Sequence, residues 1–371
     1  MSARSVQFDC PSKQEGKLIR CKTLAVSLAS LALFIGGPCA AQDIPSVNLK
    51  VSGGNRTQNQ FRLVEVPFFT KQLPEASDGA VTVNFSSLED LGIQGPEVLR
   101  LLGMGMFDMS EGTLSYMAGE APLFESLDFP GLTSDIDQQR KMAEGLKPEI
   151  AKTMKAKFGV KLLSLAPIAL QVLYCNKPVS SLADIKGLKV RTFNRGMAQL
   201  VEGLGAQSVN IPFAEVVPAM ERGVADCAIT ATSAGNTARW WEVSDHLVML
   251  PMGWSMIFFG ANADNWNKLP EKTQAFLEKQ FSDMEDKQWA QAKADVQDGI
   301  NCNTGKGTCK NGIEAKPAMK LVTLTSDEKD HAREILTKNV LSDWAKRCGS
   351  DCVSQWNENA GKVVGVHVSD N

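Results

Sequence analysis

The stretch SLADIKGLKVRTFNRGMAQLVEGLGAQSVNIPFAEVVPAMERGVADCAITATSAG, residues 181–235, alternates helix and strand three times. Ser181-Leu182-Ala183-Asp184 has the spacing of a capping box, and Gly187 stops the short helix it opens. Residues 188–192 alternate as a strand and end on Arg191 and Thr192. Asn194 is placed to cap a helix whose apolar residues Met197, Leu200, Val201 and Leu204 recur at helical spacing. A second strand is expected over 208–211, a helix over 214–222 and a third strand over 224–230. Thr232 to Gly235 then reads as a loop. Strands separated by helices imply a parallel sheet with right-handed crossovers. Ligands of such sheets bind beyond the carboxyl ends of the strands. Those ends carry Arg191, Phe213, Thr230 and Thr232. A guanidinium, an aromatic wall, hydroxyls and a helix N-terminus suit a small organic anion.

The segments LADIKGLKVRTFNR and GAQSVNIPFAEVVPAMERGVADCA resemble the solute-binding proteins of TRAP (tripartite ATP-independent periplasmic) transporters, dicarboxylate-binding type. The resemblance extends from Val47 to about Gly365. It implies an α/β, two-lobed periplasmic binding protein fold: two α/β domains joined by crossing strands and a long helix. It also implies that Arg191 holds a ligand carboxylate and that Phe213 lines the ligand. Gln171 stands where many relatives carry a second arginine, which shifts the expected ligand from a dicarboxylate to a monocarboxylate. Thr230 stands where relatives place another ligand contact. The implied partners are a small organic acid and the TRAP membrane permease subunits, with no cofactor and a monomeric state.

Residues 1–41 have the pattern of a secretory signal peptide. Lys13, Lys17, Arg20 and Lys22 precede an apolar run over 24–35, and Cys39-Ala40-Ala41 supplies small residues for cleavage. Export to the periplasm follows. The whole chain carries a formal charge of −3, and the leader is its basic part, so the remainder is more acidic still. That argues against a nucleic-acid partner. Of nine cysteines, six follow the leader. In an oxidising compartment Cys302 with Cys309, and Cys348 with Cys352, have spacings suited to local disulfides. Their spacing fits no usual zinc pattern. Cys175 and Cys227 fall in predicted strands and either pair or stay as two buried thiols.

The amino-terminal part repeats the strand–helix logic. Strands are expected over 47–51, 80–85 and 106–110, with SGGNRTQNQ turning into a helix after the first and Glu111 closing the third. A helix spans 137–157, strands follow at 160–166 and 170–175, and 264–296 reads as one long helical region. The run LVMLPMGWSMIFFGAN (247–262) reads as extended backbone returning to the first domain. The expected division is therefore 42–168 with 256–297 as domain I, and 169–255 with 298–371 as domain II.

Further candidates for the ligand site are Ser233, Trp254, Asn55, Arg56 and Glu111. Each has a structural alternative: a strand-end salt bridge for Arg191, core packing for Phe213 and Trp254, helix capping for Thr232 and Ser233. The three histidines are far apart in sequence and lack neighbours at ligand spacing, so no catalytic residue and no metal are expected. A sensor that reports ligand occupancy, or an enzyme acting on a small acid, are the rival readings.

Overall fold

The computed structural model describes residues 44–369, so the expected leader and its cleavage point lie outside the described residues. Eleven strands form two sheets. The first contains β1 (Val47–Ser52), β2 (Val81–Ser86), β3 (Met109–Thr113), β4 (Val160–Pro167) and β10 (Met256–Asn262), in the order β2-β1-β3-β10-β4. The second contains β5 (Gln171–Cys175), β6 (Lys189–Thr192), β7 (Gln207–Asn210), β8 (Cys227–Ala231), β9 (His246–Val248) and β11 (Lys320–Val322), in the order β11-β9-β5-β8-β6-β7.

The helices that position the site are α1 (Ile136–Phe158), α2 (Arg195–Gly203), α3 (Thr232–Thr237), α4 (Glu271–Thr304), α5 (Ser342–Cys348) and α6 (Ser350–Trp356). The capping box at Ser181 forms, and the Asn194 side chain accepts from the Met197 amide at the start of α2. These local signals were strong because each satisfies backbone donors that a helix start leaves open.

The sheets are mixed. β6 pairs in parallel with β7 and β8, as the alternation requires, but β5 runs antiparallel to both β8 and β9. In the first sheet β10 is antiparallel to β3 and β4. Residues 232–237 are helical rather than a loop. Thr232 Oγ1 donates to the carbonyls of Asp295 and Val296, and Asn236 Nδ2 donates to Asn303 and to the Ile313 carbonyl, so α3 is fastened along α4. The third strand begins at Met109, which puts Glu111 inside it instead of after it. The long helical region is two helices, Ala263–Lys268 and α4, divided at Pro270.

Two segments cross between the sheets, residues 167–171 and 252–256. They are joined to each other by Ile168 N–H to Ser255 O (3.0 Å), Gln171 N–H to Gly253 O (2.9 Å) and Met252 N–H to Gln171 O (2.9 Å). α4 spans both lobes. Trp289 Nε1 donates to Leu165 O in the first, and Asn303 Nδ2 donates to the Tyr174 hydroxyl in the second. Disulfides join Cys302 to Cys309, Cys348 to Cys352, and Cys175 to Cys227, the last across the β5–β8 register. Among the described residues no helix is long and apolar enough to cross a membrane.

Candidate functional site

Arg191 sits near the carboxyl end of β6 with 1% of its surface exposed. Nε donates to Ile211 O at 2.8 Å and Nη1 to Ile229 O at 2.6 Å, so a carbonyl just past β7 and one in the middle of β8 hold the guanidinium in place. Its Cζ lies 4.9 Å from the Phe193 ring centre and 5.8 Å from that of Trp240. Among the described residues no carboxylate pairs with it and Nη2 makes no hydrogen bond. Burial pushes its pKa down to about 10, opposed only by the buried Tyr116 phenol. Arg191 is therefore a desolvated cation that remains charged at neutral pH and has donor capacity left over.

Around it stands an aromatic cage. Tyr116 meets Phe193 edge to face at 5.8 Å, and Trp240 packs against Phe213 at 5.3 Å and Tyr174 at 5.6 Å. A cavity of about 270 Å³ lies between the lobes. Asn55, Glu89, residues 92–96 and Tyr116 wall it on one side, and Pro212, Phe213 and Ala214 on the other.

Asp128 joins the site to the crossing segments. Its Oδ1 accepts from the Trp254 and Ser255 amides, each at 2.8 Å, and its Oδ2 accepts from Ser115 Oγ at 3.2 Å and Asn194 Nδ2 at 3.4 Å. Gly253 and Ser255 both have positive φ, 91° and 50°, so the carboxylate clamps a sharply turned backbone. A Cβ at position 253 would collide with Asp128 as well as strain the turn. Burial raises the Asp128 pKa to about 7, against the opposing pull of these donors.

Glu65 and Glu111 are a second pair of buried acids on the first lobe: the Gly54 amide donates to Glu65 Oε2, Glu65 Oε1 and Glu111 Oε2 have no hydrogen-bond partner, and burial raises both pKa values, that of Glu111 more strongly. The Tyr116 phenol lies within electrostatic reach of Arg191, Glu111 and Asp128 together.

The candidates read from the sequence separate into three groups. Phe213 and Asn55 line the cleft; Arg191 lies buried behind it, within electrostatic reach of Tyr116 and against Trp240, which packs on Phe213. Glu111 is buried beside Glu89 and Tyr116 and does not line the cavity. Gln171 and Thr230 are buried on neighbouring strands, but Gln171 Nε2 is directed to Asp128 Oδ1 (3.5 Å) and Met252 O (3.4 Å). The third group is engaged elsewhere. Thr232 binds the backbone of α4, and Ser233 lies buried against Asp295 of the same helix. Trp254 is packed in the core with Nε1 on Thr133 O, and exposed Arg56 pairs with Asp90 at 3.4 Å.

Sequence reasoning missed Tyr116, Phe193, Trp240 as the support of Arg191, and Asp128. Only Phe193 carried a local signal, lying two residues after Arg191 and just past the end of β6. Among the described residues no group of three or more histidine, cysteine or acidic side chains is arranged to hold a metal.

Residues 53–346 match the family model for bacterial extracellular solute-binding protein, family 7. The 2,3-diketo-L-gulonate-binding periplasmic protein YiaO of Escherichia coli is 26% identical, over 70% of this chain and 78% of that protein. The C4-dicarboxylate-binding periplasmic protein DctP of Rhodobacter capsulatus is 24% identical, over 77% of this chain and 83% of that protein. Among solved structures, DctP7 of Bordetella pertussis, an extracytoplasmic solute receptor binding pyroglutamic acid, superposes with a TM-score of 0.76 at 22% identity. It covers 85% of this chain and 99% of its own. The sugar acid binding protein DctPAm of Advenella mimigardefordensis, in complex with galactonate, gives 0.76 at 18% identity, covering 86% of this chain and 100% of its own. The two-lobed fold and the family expected from the KGLKVR and PFAEV segments are thus the ones found: the chain belongs to family 7 of the bacterial extracellular solute-binding proteins.

Proposed function

We propose that the protein captures a small organic monocarboxylate between its lobes by pairing the acid with Arg191, and passes it to TRAP permease subunits in the membrane. The observation that carries this is the buried guanidinium with two main-chain carbonyls as its partners and, among the described residues, no carboxylate of its own. A desolvated cation is costly unless an anion meets it, and the planar fork of arginine matches a carboxylate with two parallel hydrogen bonds. Gln171 favours a single carboxylate, because it brings no charge and its amide is directed to Asp128 and Met252. The relatives named for diketogulonate, pyroglutamic acid and galactonate are consistent with that class. Asn55 and Phe213 are the further ligand contacts in this reading. The lobes divide near 168/169 and 255/256, where the crossing segments run. Export by the leader to the periplasm, action as a monomer and delivery to a permease complete it.

A thermal-shift screen of organic acids finds the ligand class, since an acid at a hundred times its dissociation constant adds about 2.7 kcal/mol. Calorimetry on the best acid then tests the anchor. Loss of one partner of a desolvated charge pair costs about 2–5 kcal/mol. Arg191→Ala is expected to weaken binding at least tenfold, and Arg191→Lys to weaken it as well, because an ammonium loses the fork. Parent-like affinity in both variants would reject the anchor.

A further inference from the structure

We propose that Tyr116 is a ligand-binding residue: its phenol donates a hydrogen bond to the carboxylate that Arg191 holds, so that the acid group is gripped from both lobes at once. The inference rests on the Arg191 reading above and adds the first lobe's share of the same contact.

The chain fixes where this side chain goes. Tyr116 lies in a short helical turn, Leu114–Met117, directly after β3. Residues three apart in such a turn share a face, and here Leu114 and Met117 are both buried in the core. Ser115 Oγ is tied to Asp128 at 3.2 Å. Tyr116 is left to another face, and it is among the residues that wall the cavity between the lobes. Two contacts hold its ring. A Cβ on Gly95 would fall on it, so on that side it lies against bare backbone. Across the cleft it meets Phe193 edge to face at 5.8 Å, and Phe193 in turn packs on the Arg191 guanidinium at 4.9 Å. Tyr116 thus stands where the cavity meets the buried cation.

The hydroxyl at its tip is uncommitted. Among the described residues it makes no hydrogen bond, although Arg191, Glu111 and Asp128 are all within electrostatic reach. Buried tyrosines usually give their O–H a partner, so an idle one on a cavity wall points to a guest. Burial raises the phenol's pKa, which keeps its proton on at neutral pH and makes it a donor. Asp128 already accepts from four donors and has no need of a fifth. On the second lobe Arg191 Nη2 is also without a partner. An ionised carboxylate has two oxygens and about four acceptor sites. With Nε and part of Nη1 committed to main-chain carbonyls, Arg191 leaves some of those sites open, and the phenol is the neighbouring donor from the other lobe. A contact made from the first lobe to an acid held on the second joins capture to closure.

The test is calorimetry on the purified protein with pyroglutamate, galactonate and lactate. Tyr116→Phe keeps the ring and its packing and removes only the hydroxyl. Its affinity is expected to fall about tenfold or more, and by a similar factor for every acid that binds, because hydrogen bonds to charged groups are strong and these acids share the carboxylate. Its melting temperature without ligand is expected to match the parent's, which a merely structural role would lower.

Parent-like affinity in Tyr116→Phe overturns the inference. So does a loss confined to one acid, which would put the phenol against that acid's own substituent. No binding of any of the three to the parent removes the acid class on which the inference stands and overturns it as well. Arg191→Ala run alongside separates the two claims. If it binds like the parent, the anchor falls and the phenol contact with it. If it loses binding while Tyr116→Phe keeps it, the anchor stands and the phenol contact falls.

Discussion

A guanidinium buried without a carboxylate is expensive, and Arg191 is kept there by groups that cannot neutralise it: two carbonyl oxygens and two aromatic faces. In the proposed reading, this cation meets an anion that comes from outside the chain. Asp128 shows the opposite case, a buried acid provided with four donors from three segments. Its pKa rises from an unfolded value of about 3.9 to about 7. Between those values the folded chain holds a proton that the unfolded chain has released. Its contribution to stability is therefore present at low pH, is lost as pH rises from about 4 through 7, and changes no further above that. Asp128→Asn removes this titration. In urea unfolding, the stability of the parent relative to this variant is expected to fall between pH 5 and 7 by up to about 1.4 kcal/mol per unit and then level off. A difference independent of pH would mean that Asp128 stays ionised throughout. At this scale the place of Arg191 near a strand end was readable, because the strand and the following N-cap are local signals. The sequence did not disclose Asp128 or Tyr116, whose neighbours come from segments distant along the chain.

Elements were legible where their signals are local. The Ser181 and Asn194 caps, the 23-residue helix after Asp135 and the two short-range disulfides all depend on residues close in sequence. Strand direction was not, because β5 meets β8 only through a pairing that spans a separation of 52 residues at Cys175 and Cys227. The helix α3 was not either. Its sequence TSAGNT favours caps and turns, and its hydrogen bonds to α4 override that preference. The α3–α4 junction is close enough to test. A Cβ on Gly299 would overlap the Thr232 carbonyl carbon and the Ser233 amide, so the two helices touch backbone to backbone. Gly299→Ala is expected to lower stability by about 1–3 kcal/mol in denaturant unfolding, since overpacking forces the backbones apart. The usual gain in helix propensity from glycine to alanine would point the other way. A stabilised variant would show that the contact is looser than described.

In the whole molecule, α4 and the crossing segments tie the lobes together, and the terminal helices span them from outside. Trp344 Nε1 of α5 and Trp356 Nε1 of α6 donate to Pro122 O and Ser126 O, on the stretch before α1. Arg195 at the start of α2 pairs with Asp343 at 2.9 Å. Arg191 is only 1% exposed, so the proposed function requires the lobes to part before an acid reaches it. Small-angle scattering is expected to show a larger radius of gyration without ligand than with saturating acid. An unchanged radius would require another entry route. The two-lobed plan was readable from repeated strand–helix alternation; the way the carboxyl-terminal helices bind both lobes was not, because it depends on surfaces formed only after both sheets exist.

The measurement that meets the central claim most directly is a crystal structure of the protein with its bound acid. The account predicts the ligand's carboxylate within hydrogen-bonding distance of Nη1 and Nη2 of Arg191, beneath Phe213 and between the lobes. A carboxylate held elsewhere, with the guanidinium still bound only to Ile211 and Ile229, would contradict it.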